Sequence, residues 1–214
     1  MRWVKRSALL PCCIGMETLP ESADDVTKAD PLACRLATGN LAAPRQLVER
    51  HHAELHRYVL ALLRDASAAE DIVQGTFERA FAALGKYPEE RIRALRLRPW
   101  LYRIALNLVR NAWRHRRREE PTAETPEGRD GRLGASPGFA SGPDREAWMD
   151  VLGALGRLSE RQRVAVTLRY LEDLPYADIS AATGWPENTC RTLVRRGIGR
   201  LGILMGEPDD KGGH

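Results

Sequence analysis

Between Glu119 and Pro143 the chain reads EEPTAETPEGRDGRLGASPGFASGP, and this stretch constrains the fold more than any other. It is dense in Gly, Pro, Ser and acid and offers too few apolar side chains to offset the entropy of ordering, so it reads as a flexible linker. Folding must then occur on either side of it, in two units spanning 43–118 and 144–206. Disorder is expected in the linker (119–143), in a leader over 1–42 and in a tail over 207–214.

Both flanking units have helical spacing. Leu47, Val48, Leu55, Tyr58, Val59, Leu62 and Leu63 recur at three and four residues, as do Ile72, Val73, Phe77, Phe81 and Leu84. Asp65 to Ser67 reads as the break between these helices, with Ser67 as N-cap of the second. An Arg-rich connector from Gly85 to Pro99 precedes a further helix running to about Arg118. Beyond the linker Trp148, Val151, Leu152, Leu155 and Leu158 repeat helically. Ser159 and Gln162 then form a capping-box pattern for a helix reaching about Leu171. No β-alternation of useful length occurs, so the expected class is all-α, two small helical domains joined by the linker.

The helix before the linker is chemically one-sided. At about 100° per residue, Leu101, Ile104, Ala105, Leu108 and Ala112 gather on one face and Arg103, Asn107, Arg110, Asn111 and Arg114 on the other. Trp100 falls at the border, its ring free to pack inward or to offer a face outward. From Trp100 to Arg118 there is no Asp or Glu, although a solvated helix ordinarily intersperses them. Arginines covering a bundle helix would explain part of this pattern; an anionic partner explains all of it.

In the second unit, Tyr176 to Thr183, Gly184, and Pro186 to Arg200 have the lengths of a helix-turn-helix, with glycine where the turn needs a residue lacking Cβ. Ile179, Ala182, Cys190, Leu193 and Val194 are spaced to close its small core. Asn188, Arg191, Thr192, Arg195 and Arg196 would then face outward, and these residue types suit base edges and phosphates in a major groove. A helical hairpin that only packs is the alternative.

Composition narrows the partners. The net charge is only +4, so basicity is local, and its carrier is mostly Arg, which forks onto phosphates and base edges. Cys12, Cys13, Cys34 and Cys190 form no CxxC pair and have no His at metal spacing, which excludes a zinc site or a disulfide framework and fits a reducing cytoplasm. Cys190 is expected to be a buried small hydrophobe. The opening MRWVKRSALLPCCIGM imitates a signal peptide, but its apolar run is short and holds Pro11, so it is expected to be an unstructured leader, with Met16 as an alternative start. No apolar stretch approaches a membrane span. A nuclease would need clustered carboxylates or paired ligands; adjacent His51 and His52, near Glu49 and Glu54, point to different helix faces. Neither an enzyme, a cofactor nor a metal is expected.

This order of features resembles the extracytoplasmic-function sigma factors of bacterial RNA polymerase. The motif AEDIVQGTFERAFAAL is similar to the family's acidic-amide helix, RPWLYRIALNLVRN to its promoter-melting helix, and LSERQRVAVTLRYLEDLPYADISAATGWPENTCRTLVRRGIGRL to the domain that reads the upstream promoter element. Leu106 and Asn111 stand where the family often has Arg and Asp, and Asn188, Thr189 and Cys190 where Gly-Thr-Val is usual. Leu193, Gly197 and Gly199 stand where Arg or Ala is common, and fraying of the last helix is expected from the low helix propensity of the two glycines.

The resemblance implies docking on core RNA polymerase through Asp71, Gln74 and Phe77. It implies capture of the downstream promoter element as single strand by Trp100, Arg103, Asn107, Arg110, Asn111 and Arg114, with the 86–98 connector pocketing an unstacked base. Duplex reading of the upstream element falls to Asn188, Arg191, Thr192, Arg195 and Arg196. An anti-sigma protein is a further partner the family admits. A stand-alone helix-turn-helix regulator is the alternative; it leaves the first unit without a role.

Overall fold

The structure is a computed structural model that describes residues 30–119 and 143–204. The expectations for the linker over 120–142, most of the leader, the tail, Cys12 and Cys13 lie outside the described residues. Those described are helical, with no strand among them.

The leader was expected to be disordered as far as residue 42, but a first helix, α1 (Pro31–Ala37), forms within it. Asp30 caps it, its carboxylate accepting from the Leu32 amide at 2.9 Å, and Leu32, Ala33 and Ala37 are buried. Short polar N-caps and a proline in the first turn are enough to start a helix whose apolar side has a surface to cover.

α2 (Ala43–Leu63) and α3 (Ala66–Leu84) pack as antiparallel neighbours around Leu47, Leu55, Val59, Leu62, Val73 and Ala80. Arg64 ends α2 in the left-handed region, φ 58°. The cap of α3 is Asp65 rather than Ser67: its carboxylate accepts from the Ala68 amide at 3.0 Å, and Ser67 is exposed within the first turn. α4 (Glu89–Arg93) is a single turn in the connector, anchored by buried Ile92. α5 (Leu97–Glu119) begins earlier than expected, with Pro99 in its first turn, where a missing amide costs nothing.

The second unit comprises α6 (Pro143–Gly156), α7 (Glu160–Val166), α8 (Tyr176–Thr183) and α9 (Glu187–Leu204). Ser159 and Gln162 make the expected capping box. The helix started by α7 does continue to Leu171, but through a wider π turn, Thr167–Leu171. Gly184 is left-handed at φ 76°, making the tight turn between α8 and α9. α9 does not stop at its glycines. A Cβ on Gly197 would meet Val166 Cγ2 at 2.5 Å, so this glycine permits the close approach of α9 to α7.

The two units are not held apart. α5 lies along α8, and α2 meets the π turn, so one apolar cluster runs from Leu47 through Leu106 to Leu152 and Ile179. This changes the buried face of α5. Tyr102, Leu106 and Val109 are fully buried, whereas Ile104 and Leu108 are only half-buried. A helix packed on α2 and α3 on one side and on α8 on another buries a wider stripe than one face of a wheel.

Candidate nucleic-acid interface

α9 is held by Cys190 and Val194, both buried, and their spacing turns Asn188, Arg191, Arg195 and Arg196 outward. Thr192 is half-buried and its hydroxyl donates to the Asn188 carbonyl at 2.8 Å. Arg191 is steadied by Glu187 at 3.2 Å, and its guanidinium lies 4.5 Å from the centre of the Tyr176 ring, on α8. Cys190 is a free thiol; burial raises its pKa, and its sulfur sits 3.8 Å from the Trp185 carbonyl. It behaves as a packed hydrophobe.

On α5 the expected face is divided. Arg103 and Arg114 are exposed and Asn107 and Asn111 half-buried, with an Arg114 guanidinium nitrogen donating to the Asn111 amide oxygen. Arg110 is drawn under the second unit. It donates to the Thr183 carbonyl at 3.4 Å and lies 5.6 Å from the Trp185 ring centre, while Arg161 of α7 lies 4.9 Å from the same ring. Burial lowers the pKa of Arg110, and the charges of Arg161 and Arg103 push the same way. Such mutual repulsion is relieved by an anion. Beside it a groove of about 260 Å³ is lined by Arg110, Trp113, Arg114, Arg117 and Glu160. Trp100 is half-buried against the core, its ring centre 6.4 Å from that of Tyr87 in the connector, which in turn carries the Arg91 guanidinium at 3.9 Å.

On α3, Asp71 and Gln74 are exposed, and Gln74 donates to Glu78 at 3.1 Å. Phe77 departs from the expected docking face. It is 6% exposed and its ring faces His52 and Phe81 at 6.4 and 6.3 Å, because the apolar stripe of α3 turns it into the core.

Two residues that the sequence did not single out join the units. Glu172, just after the π turn, has its carboxylate fully buried. It accepts from Arg57 Nε and Nη2 at 2.9 Å each and from the Tyr102 hydroxyl at 2.7 Å, while Arg98 donates to its backbone carbonyl at 2.6 Å. Burial raises the Glu172 pKa, opposed by the bonds from Arg57 and Tyr102. Arg98 also reaches Glu54 at 3.0 Å, and Glu54 contacts His51. Burial would raise the Glu54 pKa, but His51 and Arg98 outweigh it and hold it low.

The second joint is Arg163. Its guanidinium donates to the carbonyls of Leu155, Gly156 and Leu158 at the end of α6 and, at 2.8 Å, to that of Leu62 at the end of α2. Helix C-termini leave such carbonyls unpaired, and one cation serves two of them. Long-range polar pairs have no periodicity, so no spacing in the sequence could have revealed either joint. Among the described residues, no group of three or more His, Cys, Asp and Glu could hold a metal ion, and no helix is long and apolar enough to cross a membrane.

Comparison with known proteins follows the two units. Residues 47–119 match the model for sigma-70 region 2 and 148–201 that for sigma-70 region 4. The ECF RNA polymerase sigma factor SigC of Mycobacterium tuberculosis is 31% identical over 88% of this chain and 97% of its own. CarQ of Myxococcus xanthus, an RNA polymerase sigma factor, is 29% identical over 81% and 95%. Among solved structures, CnrH in complex with the cytosolic domain of CnrY shares the fold with a TM-score of 0.61 and 24% identity, covering 82% of this chain and 95% of that one.

Proposed function

The chain belongs to the extracytoplasmic-function sigma factors, which bind core RNA polymerase and direct it to promoters, and from that premise we propose how its residues divide the work. α9 reads the upstream element as duplex through Asn188, Arg191, Thr192, Arg195 and Arg196, because a helix fits the major groove and all of these side chains but the half-buried Thr192 face outward. α5 holds the downstream element as single strand through Arg103, Asn107, Arg110, Asn111 and Arg114, with Trp100 and Tyr87 as aromatic planes at its start. Asp71 and Gln74 dock on core enzyme, and Phe77 supports them from beneath. The chain performs no reaction of its own and works in the cytoplasm beside the polymerase.

The observation that carries this reading is the acid-free run of α5 from Trp100 to Arg118, on which the half-exposed amides of Asn107 and Asn111 lie between Arg103 and Arg114. Its test is Asn107→Ala in holoenzyme. Loss of an amide hydrogen bond to the strand, worth about 0.5–1.5 kcal/mol, should slow permanganate-detected opening of duplex promoter, and a premelted bubble should restore transcription in part. Normal opening by a folded variant would overturn the assignment.

A stand-alone regulator is not favoured, since it would leave the region matched over 47–119 unused. RpoE of Bartonella quintana is known in complex with the anti-sigma factor NepR, and a restraining protein of that kind is proposed here too.

A further inference from the structure

Positive charge collects where α5 meets α7 and the turn after α8, and the acids nearby do not balance it. Among the described residues, half-buried Arg110 has only neutral partners, the Thr183 carbonyl at 3.4 Å and the Trp185 ring at 5.6 Å. Arg161 of α7 is exposed and lies over the same ring at 4.9 Å, again with no carboxylate paired to it among the described residues. The adjoining groove of about 260 Å³ is lined by Arg110, Trp113, Arg114, Arg117 and Glu160. Glu160 is the one acid of that lining, and Arg117 takes it. Arg114 turns to the Asn111 amide oxygen.

A half-buried guanidinium without a counter-charge loses hydration that a ring and a carbonyl replace only in part. The charges of Arg161 and Arg103 bear on Arg110 as well, and an anion entering beside them relieves all three. The donors are also the right kind. Guanidinium forks take phosphate oxygens two at a time, and here they come from two elements of the fold. Arg110 and Arg114 stand one turn apart on α5, about 5–6 Å between Cβ atoms, so that their forks can hold neighbouring phosphate groups. The Trp113 indole forms one wall. The volume lies at the small end of ligand clefts and suits a small molecule rather than a length of polymer.

We propose that this groove binds a small diphosphate, free or as the 5′ group of a nucleotide, held by Arg110 and Arg114 from α5 and Arg161 from α7. The base of a nucleotide would stack on Trp113. Because the donors come from both units, a bound diphosphate ties α5 to α7 and stabilises the folded chain according to its occupancy. Neither DNA nor polymerase is needed to fill the site, so it stands or falls separately from the strand reading of α5.

Isothermal titration calorimetry of the full-length protein, at about 0.15 M salt and without divalent cations, measures binding of inorganic diphosphate, ADP and GDP, with sulfate as the control anion. Thermal melts accompany each titration, and circular dichroism reports helix content. The expected result is one site per chain with Kd below about 1 mM, and a rise in Tm on the order of 5 °C at about 100 times Kd. Arg161→Ala and Arg110→Ala should each weaken binding about tenfold or more. Arg45→Ala removes the same charge from an exposed side chain near the start of α2 and should bind as wild type does. Equal affinity for the three ligands identifies the phosphates as all that is recognised, whereas tighter binding of ADP and GDP identifies a nucleotide source.

No heat and no shift in Tm up to about 5 mM ligand would overturn the site. So would binding that survives in both Arg161→Ala and Arg110→Ala, or sulfate matching diphosphate at equal ionic strength, which means an adventitious ion only. Should Arg110→Ala lose helix content, Arg161→Ala decides, since its side chain is exposed.

Discussion

Arg57 on α2 grips Glu172 with two parallel hydrogen bonds of 2.9 Å, though 115 positions separate them in the chain. The carboxylate is fully buried and the guanidinium is not, so the pair is asymmetric. Removing the arginine leaves a buried acceptor that must find other donors, whereas removing the acid frees a side chain that water can reach. Arg57→Ala should therefore cost about 1–3 kcal/mol of stability in urea unfolding, and Glu172→Gln introduced on top of it should cost less than it does alone. A double-mutant cycle whose single effects add within about 0.3 kcal/mol would show that the two do not act as a unit.

The tyrosines beside this pair should behave oppositely. Tyr58 and Tyr102 meet edge to face at 4.9 Å, both fully buried. The Tyr102 hydroxyl donates to Glu172, while that of Tyr58 has no hydrogen-bond partner. Tyr102→Phe should lose about 1–2 kcal/mol; Tyr58→Phe removes an unpaired polar atom and should be neutral or stabilising by up to about 1 kcal/mol. Thermal melts of the two variants, compared side by side, check the sign.

The two glycines late in α9 make another opposed pair. Gly199 has nothing within 4 Å of an added Cβ, so Gly199→Ala should gain about 1 kcal/mol of helix propensity. Gly197→Ala would drive a methyl into Val166 of α7 and should lose about 1–3 kcal/mol despite the same propensity gain. Chemical denaturation of the two variants measures both.

Acid should weaken the α2–α3 contact through His56. Burial lowers its pKa from the ordinary 6.5; Glu70, 3.7 Å away, opposes this and His52 adds to it. The unfolded chain thus holds the proton more tightly. The stabilisation is complete above about pH 6.5 and is lost as pH falls through the lower folded value. His56→Gln should flatten the melting temperature between about pH 7.5 and about pH 5.5, and Glu70→Gln should steepen its fall. A profile identical to wild type in both variants would remove His56 as the cause.

Arg195 and Arg191 project from the same side of α9 about one turn apart, and at least one should read a base. Alanine at that position should cost about 1–3 kcal/mol and relax preference at a single base pair, whereas loss of a phosphate contact weakens all sequences alike. Selection from a randomised upstream element, using each variant holoenzyme, distinguishes the cases; unchanged preferences in both would count against base reading by either arginine.

What could be read from the sequence was whatever depends on neighbours a few residues apart. The Ser159–Gln162 box, the extent of α8 and the left-handed Gly184 are of this kind, and each stands in the structure. Ser67 was the nearer polar residue to the apolar stripe, but Arg64 had already turned the chain, which left Asp65 in the extended conformation a cap requires. Tyr102, Leu106 and Val109 were left out of the apolar face because a wheel assumes one buried face and α5 has two. Gly197 looked like a weak point only while α7 was out of view. Phe77 shows the same limit, since its motif suggested a docking surface and its packing places it inside.

The π turn at Thr167–Leu171 bears on how this chain tolerates insertions and deletions. A π turn holds one residue more than the α turn it replaces, and it closes here with Glu172 donating its amide to the Thr167 carbonyl at 3.1 Å. Because the wider turn spans one rotation with an extra residue, deleting a residue within it can be absorbed by closing an ordinary α turn, with Glu172 left near Arg57 and the helix-turn-helix presented in nearly the same direction. A deletion in the α-helical stretch before it, Glu160–Val166, has a different result, since it turns the side chains between the gap and the π turn by about 100° and takes Val164 and Val166 off the buried face. The π turn is thus a reserve of one residue, and a deletion scan across 160–175 should show its sharpest loss of promoter activity within 160–166 and a milder one within 167–171.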